Sequence, residues 1–191
     1  MSFKVKIILL FFLAVFTRFL ALNWGQGYFF HPDENNMATA LSQLSFQNFN
    51  PHFFAYGQFP LYLGFFTLKI FNIATLFSNS IFILRFYSAI FSILSLIVLY
   101  FLSQEIFSKK FSLLVVLLAI FSPGLIQLAH FGTTESLLIL VFLLEIFLSL
   151  KIYQHPDRAY FYFLSGLVGG LGLATKISSL IFLGPIFLVF L

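Results

Sequence analysis

The sequence of 191 residues has no cysteine, one tryptophan and two methionines, and only 8% of it is charged. Without cysteine there are no disulfides and no thiolate metal sites; the compartment stays open, because helices in lipid need no such staples. Six acidic and ten basic residues cannot solvate a water-soluble globule of this size, in which about a quarter of the residues are charged. An all-β or doubly wound α/β fold is excluded as well, since the apolar runs are too long for strands. What fills the chain is 61% hydrophobic residues, with 31 Phe and a mean hydropathy of +1.04. The composition is that of an integral membrane protein of the all-α class, a polytopic transmembrane helical bundle.

Lys4 and Lys6 stand at the head of an apolar run from Val5 to Trp24 that is then interrupted by Thr17 and Arg18. No small-x-small cleavage site follows, so the run reads as an uncleaved helix with its N-terminus inside. Residues 25–58 turn polar, and a short amphipathic helix is expected from about Glu34 to Phe46, with Met37, Leu41 and Leu44 on one face. The first external loop is expected to cover about residues 25–83. Within it, residues 60–77 are apolar enough to span, yet Gln58, Tyr62, Lys69 and Asn72 share one side. That stripe suits a helix lying in the interface plane. Further spans are expected at about 84–107, 111–129, 136–153, 159–175 and from 177 onward. If 60–77 lies flat, Lys4/Lys6, Lys109/Lys110 and Lys151/Arg158 all fall on the cytoplasmic side, as the positive-inside rule asks. Asp33, Glu34, Glu135 and Lys176 then share the opposite side. The stretch 177–191 is apolar to its last residue, so the chain reads as the N-terminal part of something longer.

Two acidic segments are candidates for chemistry, and each also suits a helix start. In His31-Pro32-Asp33-Glu34, Asp at an N-cap and Glu in the first turn complement the helix dipole. Adjacent carboxylates near a low-dielectric surface also raise each other's pKa, which suits a general base. Thr133-Thr134-Glu135 offers a threonine cap, but an acidic group between two apolar runs is more often functional than decorative. Lys176 is either a snorkelling anchor or a point charge for a lipid phosphate. Arg18 and Arg85 are interfacial anchors or counter-ions to the carboxylates. Glu145 sits inside an apolar helix, where it can pair with another helix. Gly166, Gly169, Gly170 and Gly172 form neither a dinucleotide fingerprint nor a phosphate loop, and Gly166-x-x-x-Gly170 reads as close helix packing. His52, His130 and His155 lack metal-ligand spacing, and no basic patch suits nucleic acid.

Taken in order, these segments resemble the polytopic glycosyltransferases of family 39, which have the GT-C fold and use polyprenyl-phosphate sugars. They include the protein O-mannosyltransferases and the aminoarabinose transferases of lipid A. Phe16-Thr17-Arg18-Phe19-Leu20 is similar to the end of the family's first helix, and His31-Pro32-Asp33-Glu34 to the acidic motif of its first external loop. Phe59-Pro60-Leu61-Tyr62 resembles a Pro-Pro-Leu-Tyr lead-in to a juxtamembrane helix, with Phe59 in place of the first Pro. Leu84-Arg85-Phe86-Tyr87-Ser88-Ala89, Thr134-Glu135-Ser136 and Gly170-Leu171-Gly172-Leu173-Ala174-Thr175-Lys176 follow in the family's order. The resemblance implies an inverting transfer to a hydroxyl or amine on the non-cytoplasmic face, in a plasma (inner) membrane. Asp33 would be the general base, Glu34 its assistant and Glu135 a further acidic group. Lys176 would hold the leaving phosphate, with Arg85, His31 and Tyr62 as further substrate-binding residues. The implied partners are a polyprenyl-phosphate-sugar donor, a lipid, glycan or protein acceptor, and membrane lipids. No cofactor is called for, and a divalent metal is left open. Glu in place of the usual Asp at 135 alters that group's reach, and Gln58 stands where relatives carry His or a charged group.

Two other classes fit the sparse charges. A secondary transporter would line its substrate path with them, though no internal repeat is found here. In a non-catalytic membrane subunit the carboxylates would be caps alone.

Overall fold

A 28-residue helix, α4 (Phe77–Gln104), is the axis on which the rest of the molecule is assembled. It packs against α1 (Phe3–Phe19), α2 (Pro32–Ser42), α3 (Phe59–Ile70), α5 (Lys109–Ile120), α6 (Pro123–His130) and α7 (Glu135–Gln154). The chain closes with α8 (Ala159–Thr175), a 3-10 segment Ile177–Leu183 and the short α9 (Gly184–Leu188). The computed structural model describes residues 2–25 and 30–189, among which there is no strand.

Helices α4 and α7 are each long and apolar enough to cross a membrane, and α5 and α6 make a third crossing if counted as one bent span. The bend of 57° between them falls at Pro123, which has no N–H to continue the α5 ladder. The single span expected over 111–129 is therefore two helices. The last expected span, from 177 onward, is a 3-10 segment and a short helix.

Arg18 manages the break from inside. Its Nε donates to Ser92 Oγ of α4 (3.1 Å) and Nη2 to the Ala119 carbonyl (3.1 Å), while Nη1 reaches the Ile120 carbonyl. The two carbonyls end α5 and lack an i+4 donor at the kink, Ala119 keeping a 3.3 Å bond from Ser122 N–H. A fully buried guanidinium in an apolar helix thus faces the bundle and cations the C-terminus of α5.

The segment between α1 and α4 folds back at one end of the bundle. Helix α3 ends seven residues earlier than the expected 77, in a Schellman turn: Asn72 takes φ 53°, its N–H bonds the Lys69 carbonyl and Ile73 N–H bonds Leu68 (2.8 Å). Its 12 residues reach ~18 Å, short of the ~30 Å hydrocarbon core. The buried face is the expected one, although α2 stops at Ser42, short of the expected Phe46: Met37 and Leu41 of the helix and Leu44 just beyond it are at most 1% exposed, packed on Leu61, Phe65, Ile81 and Leu84. The helix begins two residues early, at Pro32, which is pre-shaped for a first turn.

Close packing of α8 uses other glycines than expected. A Cβ on Gly169 would meet Leu183 at 2.7 Å, and one on Gly172 would meet Ser179 at 2.9 Å. Gly166 and Gly170 face open space instead. Beside Gly169, buried Glu145 of α7 accepts a 2.6 Å hydrogen bond from Ser165 Oγ, which clasps α7 to α8.

Two chemically different ends result. Lys4, Lys6, Lys109, Lys110, Lys151 and Arg158 stand where α1, α5 and α8 begin and α4 and α7 end. Asp33, Glu34, Glu135 and Lys176 stand at the other.

Candidate functional site

Three chain segments converge at that second end. The first is the loop and start of α2. His31 is the N-cap, so Asp33 and Glu34 lie in the first turn, where their charge suits the helix dipole. Successive helical residues point about 100° apart, which separates the two carboxylates. Glu34 turns inward and is fully buried; Asp33 stays half-exposed.

Glu34 is bound on every side. Arg85 Nε and Nη2 donate to its two oxygens at 2.7 Å each, and the Gly132 N–H donates to Oε1 at 2.6 Å. The remaining Arg85 nitrogen bonds the Leu22 and Trp24 carbonyls at 3.0 and 2.9 Å, and the guanidinium carbon lies 4.5 Å over the Trp24 ring. One buried ion pair therefore ties the end of α1, the start of α2, α4 and the 131–134 turn. Gly132 must be small here, since a Cβ would meet Leu84 at 2.7 Å and Glu34 Oε1 at 3.2 Å. The His31 ring lies against Phe131, tilted by 50° with centroids 4.6 Å apart, and its Nδ1 has no hydrogen-bond partner among the described residues.

The second segment is the 53–58 turn, which carries a residue that sequence reasoning passed over. Tyr56 donates its phenol proton to Asp33 Oδ2 at 2.8 Å. The phenol is pushed up to about 12, first by desolvation, then by the bond to Asp33 and the fields of Asp33 and Glu135. It is a hydrogen-bond donor throughout the physiological range.

The third segment is the end of α8. Gly57 N–H donates to the Thr175 carbonyl at 2.9 Å, satisfying one of the orphan acceptors of the helix terminus. A Cβ at Gly57 would lie 2.0 Å from the Ala174 carbonyl oxygen, so only glycine permits this approach. Docking the turn here puts Tyr56 beside Lys176, which leaves α8 in an extended conformation. Lys176 Nζ lies 4.4 Å from the Tyr56 ring centroid and 3.5 Å from Glu135 Oε1. That carboxylate also accepts from Thr134 Oγ1 at 3.3 Å, from the N-cap of α7.

Asp33, Glu135 and Lys176 are thus brought together around Tyr56, while Glu34 and Arg85 lie buried behind them. Tyr62 stands apart, its hydroxyl donating to Gln58 Oε1 at 2.8 Å, with the Phe49 carbonyl oxygen 3.0 Å away. It joins the cluster through an open groove of about 550 Å³ whose walls include Phe53, Tyr56, Gln58 and Tyr62. Among the described residues no three His, Asp or Glu side chains are grouped to hold a metal ion.

The fold and this cluster define a polytopic helical membrane protein with an ionisable site at one end of its bundle. The model of the dolichyl-phosphate-mannose-protein mannosyltransferase family matches residues 62–191, and the chain belongs to that family. Its class is that of membrane glycosyltransferases drawing on a lipid-linked sugar donor. The matched region includes Arg85, Glu135 and Lys176; Asp33, Glu34 and Tyr56 precede it. No curated protein and no solved structure matches the chain.

Proposed function

We propose that this protein transfers a sugar from a polyprenyl-phosphate donor to an acceptor hydroxyl or amine, with inversion at the anomeric carbon. The observation that carries the reading is the placement of Asp33 and Lys176 on different parts of one side chain: the carboxylate at the Tyr56 hydroxyl, the ammonium over its ring face.

Those are the two groups the reaction needs. An acceptor oxygen or nitrogen attacks the anomeric carbon, the bond from that carbon to the phosphate oxygen breaks, and the leaving polyprenyl phosphate keeps the electron pair. Asp33 takes the acceptor's proton, with Tyr56 fixing the direction of its free oxygen. Lys176 neutralises the phosphate as a point charge, exchanging Glu135 for it. A base and a phosphate-binding cation on separate sides of the reacting carbon favour attack from the face opposite the leaving group. Glu34 we assign to positioning, because both of its oxygens are held by Arg85 and Gly132. His31 and Tyr62, at the edge of the cluster and along its groove, are assigned to substrate contact.

The opposite end supplies the orientation. By the positive-inside rule its six basic side chains argue for the cytoplasmic side, and so for a site on the outer face of a plasma (inner) membrane. Nucleotide sugars are cytoplasmic, so an outward-facing transferase depends on a lipid-delivered donor, whose phosphate rides at headgroup level near Lys176.

Asp33→Asn tests the assignment, since Asn keeps the side chain's size and an oxygen that can accept from Tyr56, and loses basicity. Release of polyprenyl phosphate from a labelled polyprenyl-phosphate sugar is expected to fall by about 10²–10⁴-fold in membranes holding the variant. Release at the wild-type rate would remove Asp33 from the mechanism.

A further inference from the structure

At the basic end, α1 and α5 both begin and run side by side in the same direction. Arg18 joins them at the far end through the Ala119 and Ile120 carbonyls, where Ala14 and Ile120 are packed in one cluster. Toward their N-termini an open groove of about 300 Å³ separates them, walled by Leu9, Leu10 and Leu13 of α1 and by Leu113, Leu114 and Leu117 of α5. The polar side chain at this groove is Lys6. Lys109 and Lys110 precede Leu113 and Leu114 by one helical turn, so they stand at the same mouth.

None of Lys4, Lys6, Lys109 or Lys110 is ion-paired among the described residues, whereas Lys151 at the same end is held by Glu105 at 2.6 Å. From Lys109 to Leu117 the groove runs ~12 Å, close to the depth of one leaflet of a ~30 Å hydrocarbon core. An uncharged partner helix would leave this row of ammonium groups uncompensated. A chain of methylenes ending in a phosphate satisfies both halves of the groove.

We propose that the α1–α5 groove binds one anionic glycerophospholipid, an acyl chain along its leucines and its phosphate held by Lys6, Lys109 and Lys110. The site lies at the other end of the bundle from Asp33 and Lys176 and is independent of the transfer reaction.

Native mass spectrometry of the detergent-purified protein, delipidated and offered equimolar phosphatidylglycerol and phosphatidylcholine, reads the site directly. A retained phosphatidylglycerol adduct favoured by about tenfold is expected, with the preference lost in the K6Q/K109Q/K110Q variant. Surface charge alone would produce part of that result, so a groove-filling variant separates the two. Leu114→Trp and, from the other wall, Leu9→Trp keep every lysine, and each is expected to reduce the adduct severalfold. Both leucines are about half-exposed (47% and 49%), so neither change disturbs a packed core. Equal retention of the two lipids overturns the proposal, and so does wild-type retention of phosphatidylglycerol by both tryptophan variants.

Discussion

Arg85 grips both oxygens of Glu34 at 2.7 Å, with the two side chains 1% and 0% exposed. A pair so deep is compensated only while both members are present. Glu34→Ala and Arg85→Ala are each expected to lower unfolding stability in detergent by about 3–5 kcal/mol. The double variant should fall by clearly less than the sum, because it leaves no orphaned charge. Strict additivity in a denaturant series would mean that the two groups do not act as one lock.

Tyr56 is the residue through which the site coheres. Tyr56→Phe keeps the ring under Lys176 and removes the donor to Asp33, a hydrogen bond to a charged group worth about 1.5–3 kcal/mol. A loss of about 10- to 100-fold in kcat is expected if that bond orients the base. The pH dependence follows from the phenol's rise to about 12 from its ordinary value of 10.0. A raised pKa means that the phenol's contribution is complete below about pH 10 and fades as the pH climbs through about 12. The ratio of wild-type to Tyr56→Phe rates should therefore stay flat from about pH 6 to about pH 9. A ratio that slopes across that range would contradict a protonated phenol.

Gly57 and Gly166 make a matched pair of substitutions. Alanine at 57 places a Cβ 2.0 Å from the Ala174 carbonyl oxygen, so the turn must lift and its bond to Thr175 must break. Gly57→Ala is expected to cost about 1–3 kcal/mol and most of the transfer activity, through displacement of Tyr56 from Lys176. Gly166 lies mid-helix with nothing within 4 Å of a Cβ. There alanine should be neutral or stabilise by about 0.5–1 kcal/mol. Thermal unfolding of the two variants side by side is the measurement, and equal behaviour would remove the close-approach account of Gly57.

The contrast between these glycines shows which features the chain discloses by itself. Periodicity found the buried face of α2, and the bounds of α8 coincide with the expected 159–175, because burial and hydropathy write themselves into spacing. The kink at Pro123 lay hidden in a continuous apolar run, although the proline was in plain view. Arg18 and Arg85 stayed ambiguous for a physical reason. Half of their hydrogen bonds go to the backbone carbonyls of Leu22, Trp24, Ala119 and Ile120, which every residue possesses and no composition distinguishes. Asp33, Glu135 and Lys176 were legible as rare charges beside apolar runs. Tyr56 was not, since its role comes from a turn docked on the end of α8 more than a hundred residues away.

The absence of cysteine makes orientation measurable against a silent background. Gln47 is exposed in the loop at the site end, and Ser108 is exposed between α4 and α5 at the basic end. In intact cells, Gln47→Cys should react with a membrane-impermeant maleimide, and Ser108→Cys should react only after permeabilisation. Neither position touches the Glu34–Arg85 lock or the Tyr56 cluster, so labelling reports sidedness in a folded chain. Six basic residues at the Ser108 end set this expectation. The inverse labelling pattern would place Asp33 and Lys176 in the cytoplasm, on the side of the nucleotide sugars, and remove the argument that the donor must arrive by lipid.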